Sequence, residues 1–224
     1  MGIKAIKKYL FSKYQRVFVD CSLEEDIPFT DDEDFIFEIF DSADKELFKI
    51  TLKERDFISD LNMEEALDRL ENDFSLYVIK NKNKNKIIGY EWCVIKEFYI
   101  GYLEAKIILK SNEIYSIFHY VHKDFRGLGL ANRLHAFMYN DLRRKNFIRI
   151  IGDVSVENKP SIKAISRFKW QVLGKVTHGY LGTINYFINN VPKERLTLEP
   201  YFFVFWKKLY AKIKKQLMPR SQTR

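Results

Sequence analysis

Three kinds of residue in this chain have types and spacings suited to chemistry. The first is a glycine pair, Gly127 and Gly129, in the run Arg126-Gly127-Leu128-Gly129-Leu130-Ala131-Asn132. Glycines let the backbone bend where a side chain would obstruct, and the first N–H groups of a helix lack carbonyl partners within it. Such a turn binds phosphate or diphosphate through its main chain, with Lys123 and Arg126 adding positive charge. The second kind comprises proton acceptors: Glu113, His119 and Asp153, on or near two strand-like stretches. Histidine titrates nearest neutrality, which suits it to relieve an ammonium through water. A histidine in a buried strand is equally a hydrogen-bonded core residue. The third is Asn158, two residues before Pro160, a side-chain amide that could contact a ligand or simply cap a helix.

The elements that must position these residues follow from periodicity. Ile114 to Val121, rich in β-branched and aromatic residues, reads as a strand buried on both faces. Leu130, Leu134, Phe137, Met138 and Leu142 recur at helical spacing, so the glycine turn opens onto a helix N-terminus. Phe147 to Val156 reads as the next strand, and Ile162, Ile165 and Phe168 as a second helix with Pro160 in its first turn. A dinucleotide fingerprint is excluded because Asn132 stands where its third glycine or alanine belongs, and the loop after Val121 is too long for a tight Rossmann turn. A P-loop is excluded because no Gly-Lys-Ser/Thr follows.

What remains, from Val121 through Arg126-Gly127-Leu128-Gly129-Leu130-Ala131, resembles the acetyl-CoA signature of GNAT-type N-acetyltransferases, a Gln/Arg-x-x-Gly-x-Gly/Ala loop after a valine strand end. Val154, Asn158 and the Trp170-to-Gly174 segment resemble the second part of that pattern, and together the matches span Ile87 to Val176. The resemblance implies an α/β (α+β) GNAT fold: a mixed, mostly antiparallel central sheet flanked by helices. It also implies transfer of an acetyl group from acetyl-CoA to a primary amine, with acetyl-CoA as co-substrate and no metal. Main-chain N–H groups across Arg126, Gly127, Leu128, Gly129, Leu130 and Ala131 would hold the diphosphate, and Asn132 would add a contact. Main-chain amides of His119, Tyr120 and Val121 would meet the pantetheine and the thioester oxyanion, and Asn158 would contact pantetheine. The family often protonates the departing thiolate with a tyrosine, but Ile165 occupies that position here, and Lys169 replaces the glycine of the usual Gly-Phe pair. Tyr115, Tyr120 and Tyr139 are possible substitutes. No cluster along the sequence has metal-ligand spacing.

Composition bounds the rest. The 224 residues carry 46% hydrophobic and 16% aromatic content, ample for one domain with terminal additions. Two cysteines, Cys21 and Cys93, argue against a disulfide scaffold, and with no signal peptide readable a cytoplasmic protein is expected. Of the net charge of +8, residues 1–20 hold +4 and residues 192–224 hold +7, leaving −3 between them. The positive charge is thus remote from the glycine turn, which argues against nucleic acid.

The organisation expected is a basic amphipathic helical segment over 1–20, the acetyltransferase domain over 21–191, and a basic aromatic helix over 192–224. The C-terminal helix docks on the domain or lies on an anionic membrane surface. In the N-terminal segment residues 3–14 read as the helix and Arg16 to Asp20 as a short strand; within the domain, Phe35 to Phe40 reads as the first sheet strand, and Asn62 onward as a helix. Leu76 to Lys80 and Ile87 to Ile95 form a hairpin around a polar turn, with Gly89 at a bulge or close approach. Glu97 to Ser111 is an added strand or a substrate-facing loop whose Phe98, Tyr99 and Tyr102 pack on the core or line a pocket. The acceptor expected is a small metabolite or amino sugar. The alternatives are an acyl-CoA-binding regulatory module without turnover and a membrane-peripheral acyltransferase using a lipid-linked amine.

Overall fold

A computed structural model describes residues 13–54, 70, 74–181 and 184–198. Its centre is an eight-stranded sheet: β1 (Lys13–Ser22), β2 (Phe35–Ile39), β3 (Phe74–Asn81), β4 (Lys86–Val94), β7 (Glu113–Val121), β8 (Arg149–Ser155), β9 (Gln171–Leu181) and β10 (Ile184–Asn189). The order across it is β10-β9-β1-β8-β7-β4-β3-β2. Every neighbouring pair is antiparallel except β7 and β8, which run parallel. Two short strands, β5 (Glu97–Ile100) and β6 (Ala105–Ile108), fold into a second sheet with β11 (Leu196–Leu198). The helices are α1 (Lys45–Glu54), α2 (Leu130–Arg144) and α3 (Lys159–Ile165).

Alternation along the strands builds a core on each face. From β4, Tyr90, Trp92 and Val94 join Phe48 and Leu52 of α1 on one face, while Ile88 and Cys93 meet α2 on the other. The α2 stripe Leu130, Leu134, Met138 and Leu142 is buried as its spacing predicts. Each such side chain contributes about 1.5–3 kcal/mol. The helix stops where Asn146 turns left-handed (φ 66°) and Phe147 N–H reaches back to the Leu142 carbonyl at 3.1 Å. Gly89 makes the close approach expected: a Cβ there would lie 2.8 Å from Ile79 Cδ1 and 3.1 Å from the Tyr120 carbonyl.

Two expected boundaries move. The one after residue 20 falls inside β1, which the apolar Phe18, Val19 and Cys21 hold between β9 and β8. Lys13 and Tyr14, expected at the end of a helix, begin that strand. The one after residue 191 falls short of β11, whose Leu196 is buried opposite Ile107 of β6. The basic helix expected at each terminus and the helix expected from Asn62 lie outside the described residues.

The feature that positions the site is a splay. β7 and β8 pair only from Glu113↔Arg149 to Ser116↔Gly152, although β7 runs on to Val121 and β8 to Ser155. Where they part, Phe118 adopts φ +50° and the β4–β7 register shifts between Tyr90 and Trp92. This is a β-bulge at a conformation that aromatic residues rarely adopt.

Candidate active site

The splay opens a cavity of about 360 Å³ that passes between the two faces of the sheet. Ser116 and His119, three residues apart, would face opposite sides of a regular strand. The bulge puts both beside Glu91 of β4: Ser116 Oγ donates to Oε1, and His119 Nδ1 lies 2.9 Å from Oε2. His135, projecting from α2, places Nε2 2.9 Å from the same Oε2. The two imidazole centroids are 4.8 Å apart. Glu91 is 2% exposed. Burial alone would raise its carboxyl, but the electrostatic attraction and hydrogen bonds of the adjacent His135 and His119 hold it below the ordinary carboxylate value.

A second cluster lines the opposite side. Asp153 of β8 accepts from Arg16 Nε and from the hydroxyls of Tyr115 and, at 2.7 Å, Tyr102. Arg16 lies over the Tyr102 ring at 5.0 Å. Burial first, and Asp153 second, push both phenols up, so they stay protonated. Tyr102 and Phe98 come from the β5–β6 insertion and line the cavity, whereas Tyr99 does not.

Beyond the open end of β7 stands the glycine turn. His122 N–H bonds the Ile88 carbonyl at 2.7 Å and Arg126 Nε bonds the Val121 carbonyl at 2.9 Å, folding the loop against the strand end. Gly127 (φ 84°) and Gly129 (φ 76°) are both left-handed, and Gly129 begins α2 with no side-chain cap. A Cβ at either would meet nothing within 4 Å. The first-turn N–H groups, Leu130 to Asn132, therefore have no side-chain cap at the positive end of the helix dipole.

The sequence-derived residues divide accordingly. His119 and Asp153 line the cavity together, with Asn158 beside them; Asn158 Oδ1 also caps α3 through Ser161 N–H at 3.2 Å. The stretch from His119 to Val121 lies past the last β8 pairing, with its main chain on the open edge. Glu113 stands apart at the paired end, held by both guanidinium nitrogens of Arg195. Ile165 lines the cavity as its position implied; of the three tyrosines named as substitutes only Tyr115 does so, and its proton is engaged by Asp153. Glu91, His135, Ser116 and Arg16 were missed, whereas Tyr102 was named as a residue that packs on the core or lines a pocket. The signal was there for two of them: Glu91 interrupts an apolar strand and His135 sits on the buried side of an apolar helix. No metal-ligand spacing is visible in sequence, yet the fold brings ligand-type atoms of Glu91, His119 and His135 within 4.8 Å of one another.

A mixed sheet with one parallel pair is thus splayed beside an uncapped helix N-terminus. Residues 34–170 match the acetyltransferase (GNAT) family model, and the chain belongs to that family. Solved structures agree on the fold. A GCN5-related N-acetyltransferase from Sphaerobacter thermophilus is similar at TM-score 0.57 and 12% identity, over 77% of this chain and 53% of that one. A Drosophila protein is similar at 0.56 and 13%, over 84% and 55%. A putative GNAT-family acetyltransferase from Novosphingobium aromaticivorans is similar at 0.52 and 11%, over 74% and 62%. The chain thus spans about half the length of the first two. Among curated proteins, none matches significantly.

Proposed function

We propose that the protein transfers the acetyl group of acetyl-CoA to the primary amine of a small acceptor. The observation that carries this is the uncapped turn from Gly127 to Asn132, with two left-handed glycines, that follows the unpaired end of β7. In this reading the turn holds the diphosphate, and the pantetheine amides pair along the open edge of β7 from His119 to Val121. Asn158 meets the pantetheine from the other wall. The acceptor enters from the side of Phe98, Tyr102 and Arg16. The inserted β5–β6 aromatics limit that side to a small amine such as an amino sugar or polyamine-sized metabolite.

His119 acts as base. Its ring is part-exposed to the cavity, and Glu91 stands behind it. The acceptor ammonium gives up one proton, its nitrogen attacks the thioester carbonyl, and collapse of the adduct breaks the C–S bond. The nitrogen loses a second proton as the adduct collapses and the departing thiolate takes up one, so two N–H bonds are lost, one S–H bond forms and one proton passes to solvent. The two cavity tyrosines, engaged by Asp153 and poor proton donors, position the acceptor. Holding the reactants in register supplies much of the rate, because a thiolate leaves readily.

Calorimetric titration with acetyl-CoA, followed by thiol release over an amine panel, tests the proposal. Binding with turnover on small amines supports it; absence of acetyl-CoA binding rejects it; binding without release on any amine points to the regulatory module instead. No helix among the described residues is long and apolar enough to cross a membrane.

A further inference from the structure

We infer that Glu91 and His135 are positioning residues that lock His119 as the Nδ1–H tautomer and direct the proton gained in each turnover to its Nε2. The inference rests on the acetyltransferase reading for its kinetic arm only. An ionised carboxylate accepts hydrogen bonds and donates none. Glu91 Oε2 has His119 Nδ1 and His135 Nε2 each at 2.9 Å, so both nitrogens carry hydrogen. The lone pair of His119, a residue that lines the cavity, is then on Nε2. That is the arrangement by which a carboxylate orients a catalytic imidazole and stabilises the imidazolium that forms.

His135 is the less obvious half. Its Nδ1 is buried without a hydrogen-bond partner among the described residues, and the ring lies between Tyr139, stacked on it at 5.7 Å, and the edge of Phe168 at 5.4 Å. A bare lone pair is tolerable there, whereas a second N–H would be stranded in apolar surroundings. The buried Nδ1 therefore favours His135 as the Nε2–H donor to Glu91. Three ligand-type atoms so close together also invite a metal ion. Ligation through His135 Nε2, however, would move its proton to that same stranded Nδ1, so the cluster is built to hold a proton. The other ionisable groups around the cavity, Arg16, Asp153, Tyr102 and Tyr115, satisfy one another on its far wall and leave Glu91 as the charge that faces His119.

The chain has four histidines, so long-range ¹H–¹⁵N spectra of histidine-labelled protein, assigned by single substitutions, read each tautomer directly. The expected result is His119 as Nδ1–H and His135 as Nε2–H. A His119 found as Nε2–H, or a His135 found as Nδ1–H, overturns the inference whether or not the protein turns over. So does stoichiometric Zn²⁺ binding at micromolar concentration that His135→Phe abolishes. In kinetics, His135→Phe keeps the ring stacking but removes the donor. It should lower kcat about tenfold and move the acidic limb of the rate profile to higher pH, with KM for acetyl-CoA unchanged. His135→Gln, whose amide N–H can replace the donor, should restore most of both. A His135→Phe profile superimposable on the wild type would reduce His135 to packing. Loss of acetyl-CoA binding by the wild type would instead count against the acetyltransferase reading alone, leaving the tautomer result standing.

Discussion

Glu91 and Glu113 are buried carboxylates on strands β4 and β7, at opposite ends of the same splay, and they do different things because of what faces them. Glu113 is clasped by Arg195 and accepts the Lys110 N–H at 2.9 Å. Burial would raise its carboxyl, but Arg195 holds it low. Its partner is a permanent cation, so the pair ties the β11 segment to the sheet and exchanges nothing. Glu91 faces two imidazoles and a hydroxyl, partners that can gain or lose a proton. A buried carboxylate becomes a staple or part of a proton path according to whether its neighbour can titrate.

Breaking the active end should cost most. His119→Ala is expected to lower turnover at saturating acetyl-CoA about 100- to 1,000-fold, the range of a lost general base, with little change in cofactor affinity. An unchanged rate would make His119 a surface residue of the bulge. Gly129→Val should weaken acetyl-CoA binding by at least about 100-fold, measured by calorimetry. Its Cβ enters space that is otherwise open, so the neighbours need not move, and the strain of φ 76° costs on the order of 1–2 kcal/mol. Retained affinity in a folded variant would remove the diphosphate from this turn.

At the stapled end the contrast sharpens. Arg195→Met leaves Glu113 buried without its cation and should cost about 3 kcal/mol of stability in denaturant melts, while the specific activity of the folded fraction stays near wild type. The pH dependence has a definite sign. The folded Glu113 carboxyl is depressed, so its contribution is present above the unfolded value of about 4.3 and is lost as pH falls through the folded value. The variant should therefore lose stability less steeply than wild type below about pH 4. A matching acid limb would mean that the clasp contributes nothing.

Much of this was legible in sequence, for physical reasons. The α2 stripe and the Gly127–Gly129 turn are local patterns, so the turn proposed to hold the diphosphate could be read without coordinates. Pro160 and Asn158 likewise marked the start of α3. What could not be read depends on partners distant in the chain. Nothing in Ile117-Phe118-His119 announces a left-handed phenylalanine, yet that one residue turns His119 toward Glu91. The Glu91–His135 contact joins a strand to a helix 44 positions away, each with an apolar pattern that one polar residue hardly disturbs. Arg16 was hidden because β1, near the start of the chain, inserts between β8 and β9. Glu113, attractive by position alone, was already committed to Arg195 from the far end of the domain.

The smallest effect expected lies between the two ends, at Cys21 of β1. Burial, with Asp20 adding to it, pushes its thiol up to about 11 from an ordinary value of 9.0. A raised acid favours the protonated form in the fold, so the stabilisation is fully present below pH 9 and declines as pH rises toward 11, at about 1.4 kcal/mol per unit. Cys93 and Tyr77 are raised in the same direction by burial, so wild-type alkaline unfolding is a composite. The difference between wild type and Cys21→Ala isolates one group. The variant should be less stable near neutrality, because it leaves a small cavity beside Leu23 and Leu142 in the α2-side core. Its stability should then fall less steeply between pH 9 and 11, narrowing the gap by about 2 kcal/mol. Parallel curves would mean that the thiol ionises as freely in the fold as in the unfolded chain, and that this part of the core admits water. Cys21 ionises with no gain to the reaction, as Glu113 is ionised with none. Of these three buried acids, only Glu91 lines the cavity where a proton must move.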